Sequence, residues 1–286
     1  MKTQKLFISP ANCRAPAEAE EKAKLTFSED GKTITGVKDK SIKSITIPDS
    51  VTSIGSGAFS WCSSLTDITI PDSATSIGSG AFEHCISLTS VAIGNGVTSI
   101  GDRAFTGVQS VQVSAGHSVF SVDERGAVIN KKEKKLLYVP PSHSSYTIPS
   151  SVTSIGDGAF DGCEALTSVT IPDSITSIGD RAFCGCEALT SVTIPDSVTS
   201  IGVDAFENCL SLTSVAIGNG VTSIGDYAFA WCKKLTSVAI GNGVTSIGES
   251  AFSGCSKLTS VTIPAKFTDE DVKKWEVPSN CKIIRK

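Results

Sequence analysis

One spacing constrains what this chain can fold into more than any other feature. The dipeptide Ala-Phe recurs with its Phe at 59, 82, 105, 160, 183, 206, 229 and 252, and every step is 23 residues except the one from Phe105 to Phe160. Written from Leu65 to Ser87, the unit reads L-x-x-I-x-I-P-x-x-A-x-x-I-G-x-x-A-F-x-x-C-x-x, and copies begin near Ile42, Leu65, Leu88, His143, Leu166, Leu189, Leu212 and Leu235. A unit this short cannot bury its own apolar side. Stacking it on its neighbours supplies the core, so the chain grows in one dimension and its 286 residues do not imply two globular domains.

Within the unit, the run 65–70 alternates as a short strand, with Leu65, Ile68 and Ile70 inward and Ser or Thr outward. Pro71 has no N–H for a sheet ladder and ends the strand, after which Ala74 to Ile77 turns the chain. Glycine stands at 55, 78, 101, 156, 179, 202, 225 and 248, which calls for either a positive φ or an approach too close for a Cβ. The segment around Ala81, Phe82 and Cys85 reads as a short helical or 3₁₀ turn with those three side chains inward. Neighbouring units about 4.8 Å apart then form a parallel sheet on one flank and one continuous stack of equivalent side chains. The core ladder expected from this is Phe59, Phe82, Phe105, Phe160, Phe183, Phe206, Phe229 and Phe252, with Cys62, Cys85, Cys163, Cys186, Cys209, Cys232 and Cys255 beside it.

That cysteine column has disulfide-compatible Cα spacing, but stacked parallel side chains hold their Cβ atoms wider than the roughly 3.8 Å a bridge prefers. Its odd count and core placement favour reduced thiols acting as small hydrophobes, and no paired Cys/His spacing suggests zinc. Cys13, Cys184 and Cys281 lie outside the column, with Cys184 at a variable and accessible position.

Four segments are expected. Residues 1–24 form a disordered leader or linker: Pro10 cuts short the apolar patch Leu6-Phe7-Ile8, so no clear signal peptide is present, and 16–24 is charged. Residues 25–41 form a β-hairpin cap turning at Asp30-Gly31 over the exposed edge of the first repeat strand. Residues 42–264 are the solenoid, with a β-meander protruding at 114–142 after Val108-x-x-Val111-x-Val113 brings the next strand in early. Residues 265–286 form the C-terminal cap, with a helix N-capped at Thr268, Trp275 as a roof, and a closing strand over 281–284.

The motif L-x-x-I-x-I resembles the strand signature of leucine-rich repeats, and I-P-x-x-V-x-x-I-G-x-x-A-F-x-x-C is similar to the BspA-like subclass, over roughly 25–286. The resemblance implies an α/β leucine-rich-repeat solenoid, a right-handed superhelix with short parallel strands on one face and short helical or 3₁₀ turns on the other. It also implies a surface or secreted protein of adhesin-like function that binds host or matrix proteins, since members are associated with adhesion.

The residues themselves argue for binding over catalysis. Three histidines, His84, His117 and His143, sit in three different settings, and no nucleophile elbow, phosphate loop or HExxH helix occurs. Asp102, Asp157, Asp180, Asp226 and Glu249 share one repeat position and read as solvated turn residues; pairing for acid–base work or calcium binding is the sharper alternative. No catalytic residue, metal or cofactor is expected. With 25 basic and 29 acidic residues the net charge is -4, against a nucleic-acid partner, and no run is long and apolar enough to span a bilayer. Lys131 to Lys135 reads as a solvated hairpin turn. The outward strand face is small and nearly uncharged, without the Trp, Tyr or Arg that binding hot spots need. Variation gathers beside the Phe-Cys turn instead, at Arg103, Arg181, Asn208 and, as the candidate binding surface, Trp61, His84, Tyr227, Trp231, Lys233 and Lys234. The expectation is a monomeric protein-interaction module with a protein ligand; the alternative is a structural spacer or intracellular scaffold without a dedicated ligand.

Overall fold

The computed structural model describes residues 18–286. The expected leader lies outside the described residues as far as residue 17, and Cys13 with it. Residues 18–24, read as linker from their charge, are helical. Ala, Glu and Lys are strong helix formers, and the Lys22–Glu18 pair at 3.1 Å joins successive turns.

The chain is a β-solenoid of stacked parallel strands with few helices, and each coil contributes two strands, one more than the sequence motif displays. The first is the apolar-alternating run, as in Ser44–Thr46 and Asp67–Thr69, paired residue for residue 23 positions apart (Ile45 to Ile68, Val192 to Val215). The second is a Ser-Ile dipeptide, as in Ser53–Ile54 and Ser76–Ile77, in the stretch expected only to turn. Two residues suffice because the hydroxyl-rich positions beside them also bond from coil to coil: the Thr75, Thr176, Thr199 and Thr222 hydroxyls each donate to the carbonyl of the equivalent residue one coil earlier, at 2.9–3.0 Å.

Inside, the phenylalanines stack nearly face to face. Ring centroids lie 5.4 Å apart for Phe59–Phe82 and 4.9 Å for Phe183–Phe206, with planes within 12° and 5°. Each phenylalanine of the ladder is at most 2% exposed. The stack is not continuous, however. Phe105 meets Tyr138 edge-on, and Phe160 meets Tyr146 edge-on, so the core falls into two clusters, one spanning Leu25 to Tyr138 and the other Ala127 to Trp275.

The insertion makes that division. Val111–Val113 ends the first ladder of the N-terminal block. Phe120–Val122, Val128–Asn130 and Lys135–Tyr138 form an antiparallel meander, and its last strand runs parallel to Ser154–Ile155 to begin the second ladder of the C-terminal block. The meander does not protrude. Its apolar residues find two cores to fill: Phe120, Val128 and Tyr138 pack into the first cluster, and Ala127 and Leu136 into the second.

The ends are closed by main-chain pairing. The hairpin of Leu25–Phe27 and Thr33–Val37 covers the second ladder, through Thr33–Ser53 and Ile34–Ile54, and not the edge of the first strand as its position suggested. At the far end Lys282–Arg285 adds in parallel to Ser260–Ile263. The helix Asp269–Lys274, capped by Thr268 and Asp271, continues the turn side: Ser250 and Phe252 donate N–H to the carbonyls of Lys274 and Trp275. Trp275 is 1% exposed over the last coil.

Candidate interaction surface

The turn side owes its shape to an alternation of backbone handedness. In one coil the N–H groups of Ala81, Glu83 and Cys85 close turns onto Gly78, Gly80 and Phe82, whereas those of Gly80, Phe82 and His84 point to the next coil and bond Asp102, Ala104 and Thr106. The residues before Ala and before Cys (Val108 in the third coil) carry a positive φ in every coil, which breaks any helix into single turns and, in the regular coils, aims their N–H groups at the next coil. Glycine fills seven of these sixteen positions; the other nine are Trp61, His84, Arg103, Arg181, Asp204, Asn208, Tyr227, Trp231 and Ser250, with φ between 53° and 65°. The eight invariant glycines have a different origin: a Cβ at Gly202 or Gly225 would lie 2.4–2.6 Å from atoms of the preceding coil, so close approach is what demands them.

Four of the six residues singled out as a binding surface therefore occupy left-handed positions. Their side chains stand off the stack: Trp61 is 61% exposed, Trp231 48% and Tyr227 46%. The Trp61 and His84 rings lie 4.0 Å apart, one coil after the other, and Lys233 places its ammonium 5.9 Å from the Trp231 ring. Lys234 is exposed nearby. The six do not form one cluster, since Trp61 and His84 belong to the first two coils and the others to the seventh. Between them Arg181 faces three carboxylates, Asp161 at 3.4 Å, Asp204 at 3.8 Å and Glu207 at 3.9 Å. Burial pushes all three carboxyl groups above their ordinary range, and the Arg181 charge pulls them part of the way back.

The remaining candidates take structural places. Asp157, Asp180 and Asp226 each accept the N–H of the equivalent residue one coil on, at 3.0, 2.8 and 2.8 Å, so the acidic column is spent on the stack. The thiols of Cys85, Cys186, Cys209, Cys232 and Cys255 each donate to the carbonyl of the phenylalanine one coil before, at 3.1–3.3 Å, and no described cysteine is in a disulfide. Cys184 is also buried, at 4% exposed, because its position faces the neighbouring Arg181 cluster instead of solvent. Cys281 is half-buried. The lysine run is partly engaged: Lys131 donates to the His117 carbonyl, and Lys135 pairs with Asp102 at 3.0 Å. Among the described residues no group of three or more His, Cys, Asp or Glu is arranged for a metal, and no helix is long and apolar enough to cross a membrane.

A feature of this surface absent from the sequence reading lies where the two blocks meet. A cleft of about 410 Å³ opens between the turn of the third coil and that of the fourth, with His84, Thr106 and Gly107 on one wall and Pro141, Asp161 and Gly162 on the other. Its signal in the sequence is the pair Pro140-Pro141, inside the irregular step from Phe105 to Phe160.

These features define a capped solenoid of the leucine-rich-repeat class. The profile of BspA type leucine rich repeat regions matches residues 37–123, 133–204 and 153–272, and the chain belongs to that family. Solved structures of the same fold include a leucine-rich repeat protein from Eubacterium ventriosum, 24% identical, with 82% of this chain and 79% of that one covered and a TM-score of 0.63. A leucine rich cell surface protein from Faecalibacterium prausnitzii is 28% identical, with 85% of this chain and 59% of that one covered and a TM-score of 0.62. The pneumococcal vaccine antigen PcpA is 23% identical, with 86% of this chain and 63% of that one covered and a TM-score of 0.75. The chain thus spans less than two thirds of the last two proteins. No curated protein matches it. The repeat family suggests a protein-interaction module.

Proposed function

We propose that this chain acts at a cell surface as an adhesin-like module, binding a host or matrix protein through its turn side, with Trp61, His84, Tyr227, Trp231, Lys233 and Lys234 as the main contacts. The observation that carries this reading is the presence of large side chains on left-handed backbone. A non-glycine residue there costs about 1–2 kcal/mol, and glycine serves the same positions in other coils. Trp61, Tyr227 and Trp231 leave about half of their rings in solvent, and exposed aromatic rings beside lysines are what interface anchors are made of. The strand face offers no comparable anchor, because the side chains it turns outward are chiefly Ser, Thr and Ala, with no Trp, Tyr or Arg among them. Surface location is supported by the 28% identity to a leucine rich cell surface protein.

The test is binding of the chain to immobilised extracellular-matrix proteins and to fixed epithelial cells. The variant Trp231→Ala, Lys233→Glu, Lys234→Glu, and separately Trp61→Ala, is expected to keep the wild-type melting temperature and to lose at least tenfold in binding. Unchanged binding by both variants would rule out the turn side; absence of any binding by the wild-type chain would leave the spacer role in its place.

A further inference from the structure

The cleft between the third and fourth coils has a specific origin. In each regular coil three N–H groups of the turn reach across to three carbonyls of the next. The third coil breaks this rule: among the described residues, the N–H groups of Arg103, Phe105 and Gly107 reach no carbonyl. On the opposite side only the middle carbonyl is taken, that of Ala159, by the N–H of Val139 at 2.9 Å. The meander thus supplies an intervening layer as far as Val139. There Pro140 and Pro141 follow, which have no N–H to continue the ladder. Beyond Val139 the layer is missing, and the Gly107 N–H and Asp161 carbonyl face the space it would fill. Two further observations mark that space as open and unsatisfied. The Thr106 hydroxyl, in a residue 7% exposed on the cleft wall, has no hydrogen-bond partner. A Cβ added at Gly162 would meet nothing within 4 Å.

The regular coils show what fits. At the equivalent place between the fifth and seventh coils, the peptide unit joining Glu207 to Asn208 accepts the Gly185 N–H at 2.8 Å with its carbonyl and donates its N–H to the Ala230 carbonyl at 2.9 Å. One peptide unit, pointing its two polar groups in opposite directions, satisfies both walls. We infer that the cleft is a peptide-docking site, in which a short segment of a partner protein places one peptide unit between Gly107 and Asp161 and completes the interrupted layer. This is main-chain recognition carried out on the turn side of a solenoid, with affinity coming from the two hydrogen bonds of the peptide unit. The inference rests on the protein-binding reading above and gives it a recognised chemical group, a trans peptide unit.

The experiment uses a fluorescein-labelled, end-capped peptide copying residues 207–212 with Cys209→Ala, titrated with the whole chain by fluorescence anisotropy. Three comparisons follow: the same peptide N-methylated at the amide equivalent to Asn208, the chain with Gly162→Trp, and the chain with Gly185→Trp. The chain already carries Trp at the equivalent left-handed positions 61 and 231, so Gly162→Trp is expected to fold and to plug the cleft. The expected result is saturable binding that weakens at least tenfold on N-methylation and in Gly162→Trp, and that is unchanged in Gly185→Trp, one coil away where the ladder is complete. Absence of binding, indifference to N-methylation, or an equal loss in both glycine variants overturns the inference. Matrix-protein binding that is lost in the Trp231 variant yet unchanged in Gly162→Trp retains the turn-side reading and removes this site from it.

Discussion

At the scale of the residue, the informative positions are those where side chain and backbone disagree. Tyr227 has a φ of 54° and is 46% exposed, so a half-buried ring is carried on a backbone that sits in a well that suits glycine. The usual order of substitutions should therefore invert. Tyr227→Gly is expected to be more stable than Tyr227→Ala by about 1 kcal/mol, since alanine retains the Cβ penalty of the left-handed region and glycine does not. Denaturant midpoints of the two variants decide it, and an alanine variant as stable as the glycine one would mean that the strain is absent. The turn-side list was legible from sequence as variation, because Trp, His, Arg, Tyr and Gly alternate there without pattern. That these residues share one backbone conformation was not legible, since a left-handed tryptophan has no local signature; it follows only from the inter-coil bonds that turn its N–H outward.

At the scale of the element, columns replace helices and sheets as the units of structure. The phenylalanine and cysteine columns could be read directly, because a fixed period places equivalent residues one above another. The second strand of each coil could not. Ser-Ile is too short to show alternation, and it is a strand only through its ladder of neighbours. The cysteine column carries a prediction in pH. Burial pushes the Cys85 and Cys163 thiols up to about 12 from an ordinary value of 9.0, with the neighbouring Cys62 and Asp161 charges adding to the rise. Above pH 9 the unfolded chain releases thiol protons that the folded chain keeps, so stability falls as pH rises, by about 1.4 kcal/mol per pH unit for each such thiol until its folded value is reached. Below pH 9 these groups contribute no slope. Urea midpoints measured from pH 7 to 11 are expected to hold steady and then drop, with a shallower drop in Cys163→Ala; a flat profile to pH 11, or equal slopes in both chains, would place the thiols in contact with water.

At the scale of the whole molecule, the insertion decides how far cooperativity extends. A solenoid transmits stability only through contacts between neighbouring coils, and here the phenylalanine stack ends at Phe105 and starts afresh at Phe160, each end closed by a tyrosine. What joins the blocks is one narrow layer, the meander, which puts Phe120, Val128 and Tyr138 into the first cluster and Ala127 and Leu136 into the second, together with the Tyr138 hydroxyl on the Val108 carbonyl at 2.7 Å, the Lys135–Asp102 ion pair and the Arg103 side chain against Gly158. The ladders do not cross it, for Ser99–Ile100 and Val111–Val113 are each the last strand of a sheet. The sequence showed the irregular step but not its consequence, because an insertion between repeats reads alike whether it loops out or enters the core. Two folding units are therefore expected. Phe82→Ala, which removes a fully buried ring from the N-terminal cluster, should destabilise that block by about 3–5 kcal/mol and speed amide exchange there, while the strands from Ser168 to Ile263 exchange as in the wild type. Phe206→Ala should do the reverse. Hydrogen exchange followed by mass spectrometry separates the two, and a uniform rise in exchange along the whole chain from either variant would show that the narrow joint couples the blocks into one cooperative unit.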